Sequence, residues 1–154
     1  MSAKNELLQI IREHGVEPGI ALSGRSAPLV GQVMLDLVRD LDFEACGGLT
    51  AQDGSIAVAM LHRGARLGRA MNAFVISEEL AIEGPDIAGR PVLLVAGACA
   101  TGDPVLRALH AVREAGAVPV AVAVVADRGA GARHEIEAEG VPYLSAYRPA
   151  ELEV

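Results

Sequence analysis

The stretch PVLLVAGACATGDP, Pro91 to Pro104, carries an apolar run into a turn of small residues and then into a helix start at Asp103-Pro104. A strand, a tight turn and a helix N-terminus together make a seat for an anion, because backbone N–H groups point into the turn and the helix dipole favours negative charge. Ala100, Thr101 and Gly102 are the candidate phosphate or anion contacts in this turn. A second small-residue segment, GGLTAQDGS, offers Gly47, Gly48 and Thr50 for the same purpose: its glycines permit close backbone approach and a helix begins at its end. The competing reading for both segments is a tight turn that holds nothing. Asp103 favours that reading at the first, since its carboxylate is placed to cap the helix.

Other chemically capable residues are scattered. HRGARLGR sets Arg63 and Arg66 three apart with Arg69 beyond Gly68, a pattern that a solvated helix face explains. His14, His62, His110 and His134 have neither metal-ligand spacing nor a paired nucleophile. Cys46 and Cys99 stand far apart without paired spacing and read as small buried residues. No catalytic residue and no metal ligand is assigned.

The elements that must position these residues follow from apolar spacing. Leu7, Leu8, Ile10 and Ile11 predict a short amphipathic helix stopped by Gly15, and the spacing from Pro28 to Leu41 predicts a second helix. A short strand is expected around Phe43 to Cys46, then a helix over SIAVAMLHRGARLG capped by Ser55 or Asp53. NAFVIS, PVLLVAG, VPVAVAVVAD and VPYLSA read as strands. DPVLRALHAVREAG reads as a helix with Asp103 at the N-cap and Gly116 just past its end, and RHEIEAEG as a brief helix ending at Gly140. Continuous apolar strands alternating with helices mean an α/β fold: one domain over residues 1–154, a parallel sheet flanked by helices in a Rossmann-like arrangement. Ligands of such sheets bind at the carboxyl ends of the strands, which directs attention to GGLTAQDGS, SEELAIEG, AGACATGD and DRGAGARHE.

Composition narrows the function classes. The 154 residues are 51% hydrophobic, enough for a substantial core, and the net charge of -7 argues against a general nucleic-acid or anionic-membrane binder. The longest apolar stretch, Val118 to Ala126, falls well short of the ~20 residues of a membrane helix. The charged, amphipathic N-terminal segment lacks the apolar core of a signal peptide, so a cytoplasmic protein acting on a small metabolite or a protein partner is expected.

The order and spacing of these segments over nearly the whole chain resemble the type I phosphoribosyltransferases, most closely the orotate phosphoribosyltransferases. In that family a strand of the form VLLVDD runs into V-x-T-T-G, then a helix ending in EAG, then a strand ending in DR. The counterparts here are Ala96 to Gly102, REAG and Asp127-Arg128. IALSGRSAP resembles the family's base-recognition segment, GGLTAQDGSIAVA its pyrophosphate loop, and MNAFVISEE the strand leading to its catalytic loop.

The resemblance implies transfer of a 5-phosphoribosyl group from phosphoribosyl pyrophosphate to orotate, with Mg²⁺ accompanying the pyrophosphate. It also implies Arg128, Asp127 and Arg25 on the base side, with Arg128 as a planar bidentate donor to a carboxylate, and action as a homodimer. The competing reading pairs Arg128 with Asp127 or a neighbouring acid and leaves Arg25 on a surface turn.

The chain departs from the family pattern at two centres. The two acids that hold the ribose hydroxyls are replaced by Ala96 and Gly97, and the basic R-K-x-x-K loop ending in H-G is replaced by a shorter segment with Glu78, Glu79, Glu83 and Asp86. The expectation is therefore a family scaffold that has lost the transfer and keeps binding of an anion or pyrimidine-like molecule, or a partner role. The alternative is a weakly active or altered orotate phosphoribosyltransferase. No cofactor is expected, and Mg²⁺ only where phosphoribosyl pyrophosphate is bound.

Overall fold

A computed structural model describes residues 2–16, 19–50, 52–99 and 101–153. The chain forms α1 (Ala3–His14), α2 (Ala27–Leu37), β1 (Ala45–Gly48), α3 (Gly54–Arg66), β2 (Asn72–Ile76), β3 (Ile82–Glu83), β4 (Pro91–Cys99), α4 (Asp103–Glu114), β5 (Val118–Asp127), α5 (Ala132–Glu137), β6 (Tyr143–Tyr147) and α6 (Pro149–Leu152). The strands make one sheet in the order β3-β2-β1-β4-β5-β6. Every neighbouring pair is parallel except β2 with β3.

The apolar runs of β4 and β5 are buried on both faces, and alternation sorts their side chains between two cores. Leu93 and Val95 of β4, with Ala121, Ala123 and Val125 of β5, pack with Leu7, Ile10, Val30, Met34, Ile56 and Met60 of α1, α2 and α3. Val92, Leu94, Val122 and Val124 point the other way, onto Val105, Leu109, Val112 and Ile136 of α4 and α5. Hydrogen bonds fasten the last elements to the first: the Tyr147 hydroxyl donates to the Lys4 carbonyl at 2.7 Å, and the Arg12 guanidinium donates twice to the Glu151 carbonyl, at 2.7 and 3.1 Å.

Four local differences from the sequence expectations have physical causes. Strand β3 is antiparallel, because only five residues separate it from β2 and a parallel return needs a long crossover. Helix α2 stops at Leu37 instead of Leu41, with Val38 donating its N–H back to Met34 at 3.2 Å. The first strand starts at Ala45 instead of Phe43. Gly102, not Asp103, is the N-cap of α4, and Asp103 sits in the first turn without a side-chain cap bond, so its carboxylate meets the helix through the dipole alone.

Glycine is required at two positions of β1. A side chain on Gly47 would overlap the ring of buried Phe74, and one on Gly48 would overlap the backbone at Asp53 and Gly54, where α3 begins. The start of α3 is thus pressed directly onto the strand. Gly48→Ala is expected to cost about 1–3 kcal/mol by forcing these backbones apart, and urea unfolding of the variant measures it.

Candidate functional site

The carboxyl ends of β1, β4 and β5 open on one side of the sheet, and three segments converge there on Gly97. Its N–H donates to Asp53 Oδ1 at 3.1 Å, which ties the loop before α3 to β4. A side chain at Gly97 would come within 3.0 Å of Val16 Cγ1, in the segment following α1. Ala96, beside it, turns into the apolar core under α4 and is 3% exposed.

The chain passes from β4 into α4 with Thr101 exposed and Gly102 buried at the head of the helix. Ala100 lies outside the described residues. The Cys99 thiol donates to the Thr101 carbonyl at 3.2 Å. Glu135 of α5 leans over the turn: a Cβ on Gly102 would lie 2.9 Å from Glu135 Cβ and 3.0 Å from its Oε2. Burial raises the Cys99 thiol above its ordinary pKa. The Tyr143 hydroxyl partly offsets this, and the carboxylates of Asp127, Glu135 and Asp53 raise it further. Glu135 thus stands at the start of α4 with Asp103 in its first turn, while Asp53 and Asp127 act on Cys99 just before it. The helix dipole is already met by the chain's own negative charge, and an incoming phosphate must compete with it.

The residues that the resemblance puts on the base side are arranged differently. Asp127 is 7% exposed, and its Oδ1 accepts the Gly129 N–H at 2.9 Å, shaping the turn after β5. The Arg128 N–H donates to the Cys99 carbonyl at 3.0 Å, so this arginine is anchored at the seat by its backbone. Its guanidinium is exposed and has no partner among the described residues, so the expected alternative of an ion pair with Asp127 is not formed. Arg25 is also exposed and borders a cavity of about 300 Å³ with Val16, Ile20 and Ser26. Val16 thereby links the Arg25 cavity to Gly97.

Gly47 and Gly48 belong to β1 itself, their faces filled by Phe74 and by the start of α3. The Thr50 hydroxyl accepts the Asp53 N–H at 3.1 Å and so shapes the turn that delivers Asp53 to Gly97. The acidic segment after β2 is a tight hairpin: Ser77 N–H donates to the Ala81 carbonyl at 2.9 Å, Ala81 N–H to Ser77 Oγ at 3.1 Å, and Glu78 and Glu79 are exposed.

Sequence reasoning passed over three residues at this site. Asp53 was visible only as a possible cap, Glu135 sits in a helix of only six residues, and Tyr143 reads as an ordinary strand residue. Tyr143 is 2% exposed, and its hydroxyl lies beside Cys99 and Asp127 without reaching an acceptor in hydrogen-bonding geometry.

No family model matches the chain. The orotate phosphoribosyltransferase of Streptomyces avermitilis is 50% identical over 141 residues, spanning 86% of this chain and 78% of that protein. That of Streptomyces coelicolor is 43% identical over 175 residues, spanning 97% of this chain and 96% of that protein. The chain belongs to the orotate phosphoribosyltransferase family.

Solved structures agree with that membership. Orotate phosphoribosyltransferase of Mycobacterium tuberculosis H37Rv in complex with inorganic phosphate matches with a TM-score of 0.89 at 32% identity, covering 99% of both chains. The same enzyme in complex with 5-phospho-alpha-D-ribosyl 1-diphosphate matches at 0.88 and 35% identity, covering 98% of this chain and 92% of that one. The 175 aligned positions with the Streptomyces coelicolor protein exceed the 154 residues of this family member, so that relative carries residues with no counterpart here.

Two outcomes are expected at this site. Tyr143→Phe removes a buried hydroxyl without an acceptor and leaves stability unchanged or raised by up to about 1 kcal/mol, read from thermal unfolding. Glu135→Gln lifts one negative charge from the head of α4 and strengthens inorganic phosphate binding by about 0.3–1 kcal/mol, a factor of roughly two to five, measured by calorimetry.

Proposed function

We propose that this family member carries out orotate phosphoribosyltransferase chemistry in weakened or altered form, transferring 5-phosphoribosyl from phosphoribosyl pyrophosphate to orotate in pyrimidine nucleotide synthesis. The observation that carries this reading is the identity of 43% to the Streptomyces coelicolor enzyme along nearly the full length of both chains. The backbone at Thr101 and Gly102 and the first turn of α4 then receive the 5′-phosphate. Arg128, with its free guanidinium, receives the orotate carboxylate as a bidentate donor, and Arg25 borders the base pocket. The chain's contribution is to bind and orient. The sharing of sites between two copies, usual in the family, belongs to the same reading.

Magnesium enters this reading only with phosphoribosyl pyrophosphate. Among the described residues no group of three His, Cys, Asp or Glu side chains is arranged to hold a metal ion. Ala96 and Gly97 supply no ligand at the strand end. The described residues do not fit a resident ion.

A second reading, binding of an anion or pyrimidine-like molecule in a regulatory or partner role without transfer, is favoured by specific observations. These are the missing carboxylates at residues 96 and 97, the acidic hairpin after β2, and the placement of Glu135 and Asp53 at the seat. A pyrophosphate leaving between these acids meets repulsion of ~1–4 kcal/mol per close charge pair.

One assay separates the two readings. The purified protein is incubated with orotate, phosphoribosyl pyrophosphate and Mg²⁺ while the loss of orotate absorbance is followed, and calorimetry with orotate runs in parallel. Turnover supports transfer, heat without turnover supports the binding role, and neither signal sinks both. Arg128→Gln is expected to weaken orotate binding about tenfold, the worth of one charge-assisted bidentate contact.

A further inference from the structure

The arginines that helical spacing assigns to a solvated face at the end of α3 do not all lie in solvent. Arg63 is half-buried, and its Nε is sealed from water and finds no acceptor among the described residues. It borders a cavity of about 680 Å³, whose walls include Ser2 and Lys4 at the start of α1, Gln32 and Arg39 on or just beyond α2, and Arg69 after α3. No residue of the strand-end loops contributes to it, so the cavity is separate from the crevice above Gly97.

The charge of this cavity runs against that of the molecule. Lys4, Arg39, Arg63 and Arg69 face a single acid, Asp36, in a chain whose net charge is -7. Three of the four cations are held by the chain itself. Lys4 Nζ lies 5.7 Å from the centre of the Tyr147 ring, Arg39 pairs with Asp36 at 3.0 Å, and Arg69 stacks over Phe43 at 4.4 Å while donating to the Leu41 carbonyl. Arg63 alone among them has no partner among the described residues. The sealed Nε is out of a ligand's reach, so an anion in the cavity meets Arg63 through the rest of its guanidinium.

We propose that this cavity is a binding site for a small phosphorylated anion of nucleotide size, with the Arg63 guanidinium as its central contact. The volume lies within the ~300–1,000 Å³ usual for small-molecule sites. A guanidinium fork suits phosphate oxygens, and the positive end of the α1 dipole stands in the same wall. Four cations against one acid match the several charges of a di- or triphosphate, whereas a single carboxylate would leave most of that positive charge unanswered. The proposal does not depend on whether the crevice turns over orotate.

Calorimetry on the full chain with ATP as the probe and adenosine as the uncharged control tests it. ATP is expected to bind and adenosine not, with Arg63→Gln weakening ATP about tenfold at an unchanged thermal midpoint. Gln32→Glu, an exposed change on α2 that adds a negative charge to the wall without touching Arg63, should weaken ATP several-fold and decides the matter if Arg63→Gln fails to fold. Arg128→Gln, in the crevice, should leave ATP binding intact. Absence of ATP binding, ATP binding unaffected by both cavity variants, or loss in Arg128→Gln instead would each overturn the site. So would light scattering showing a dimer that Arg63→Gln dissociates, because a second copy would then be what covers the guanidinium.

Discussion

Burial of β4 and β5 on both faces is the constraint on which the rest of the molecule depends. Two adjacent apolar strands without a polar face leave nothing for water, so helices must cover both sides, and parallel pairing follows because each crossover carries such a helix. That arrangement delivers the loops after β1, β4 and β5 to one end of the sheet. The crevice is a by-product of core burial, and what differs among proteins of this build is the chemistry of those loop residues.

In this family member the loops are held together by the chain's own acids. Asp53 accepts the Gly97 N–H, Asp127 accepts the Gly129 N–H, and Glu135 stands over Gly102. Carboxylates that occupy backbone donors and face a helix dipole stabilise the crevice. They also set the terms on which any anion enters, since it must outcompete neighbours already in place. Arg128 is the counterweight: an exposed guanidinium fixed through its backbone to the Cys99 carbonyl. The crevice thus sets an exposed guanidinium beside a helix start crowded by negative charge.

Much of this was legible in the amino-acid order. The strand and helix alternation, the ends of β5 at Asp127 and of α4 near Gly116, and the bend at residues 101 and 102 follow from apolar runs and glycine punctuation, which are local properties. Antiparallel β3 escaped because two residues, Ile82 and Glu83, have no period. The glycines of β1 showed that something approaches closely there. Sequence spacing did not reveal that the approaching group is Phe74 and the start of α3.

The order of residues by itself determined the α/β class, the run of strands and helices, and the presence of Ala96 and Gly97 near the end of β4, because each is set by residues adjacent in the chain. The tertiary structure alone decided that Asp53, Val16 and Gly97 meet, that Glu135 faces Gly102, and that Arg63 shares a cavity wall with Lys4, Arg39 and Arg69. Those contacts join segments tens of residues apart, and their electrostatic consequences depend on distance and burial, which no local pattern encodes.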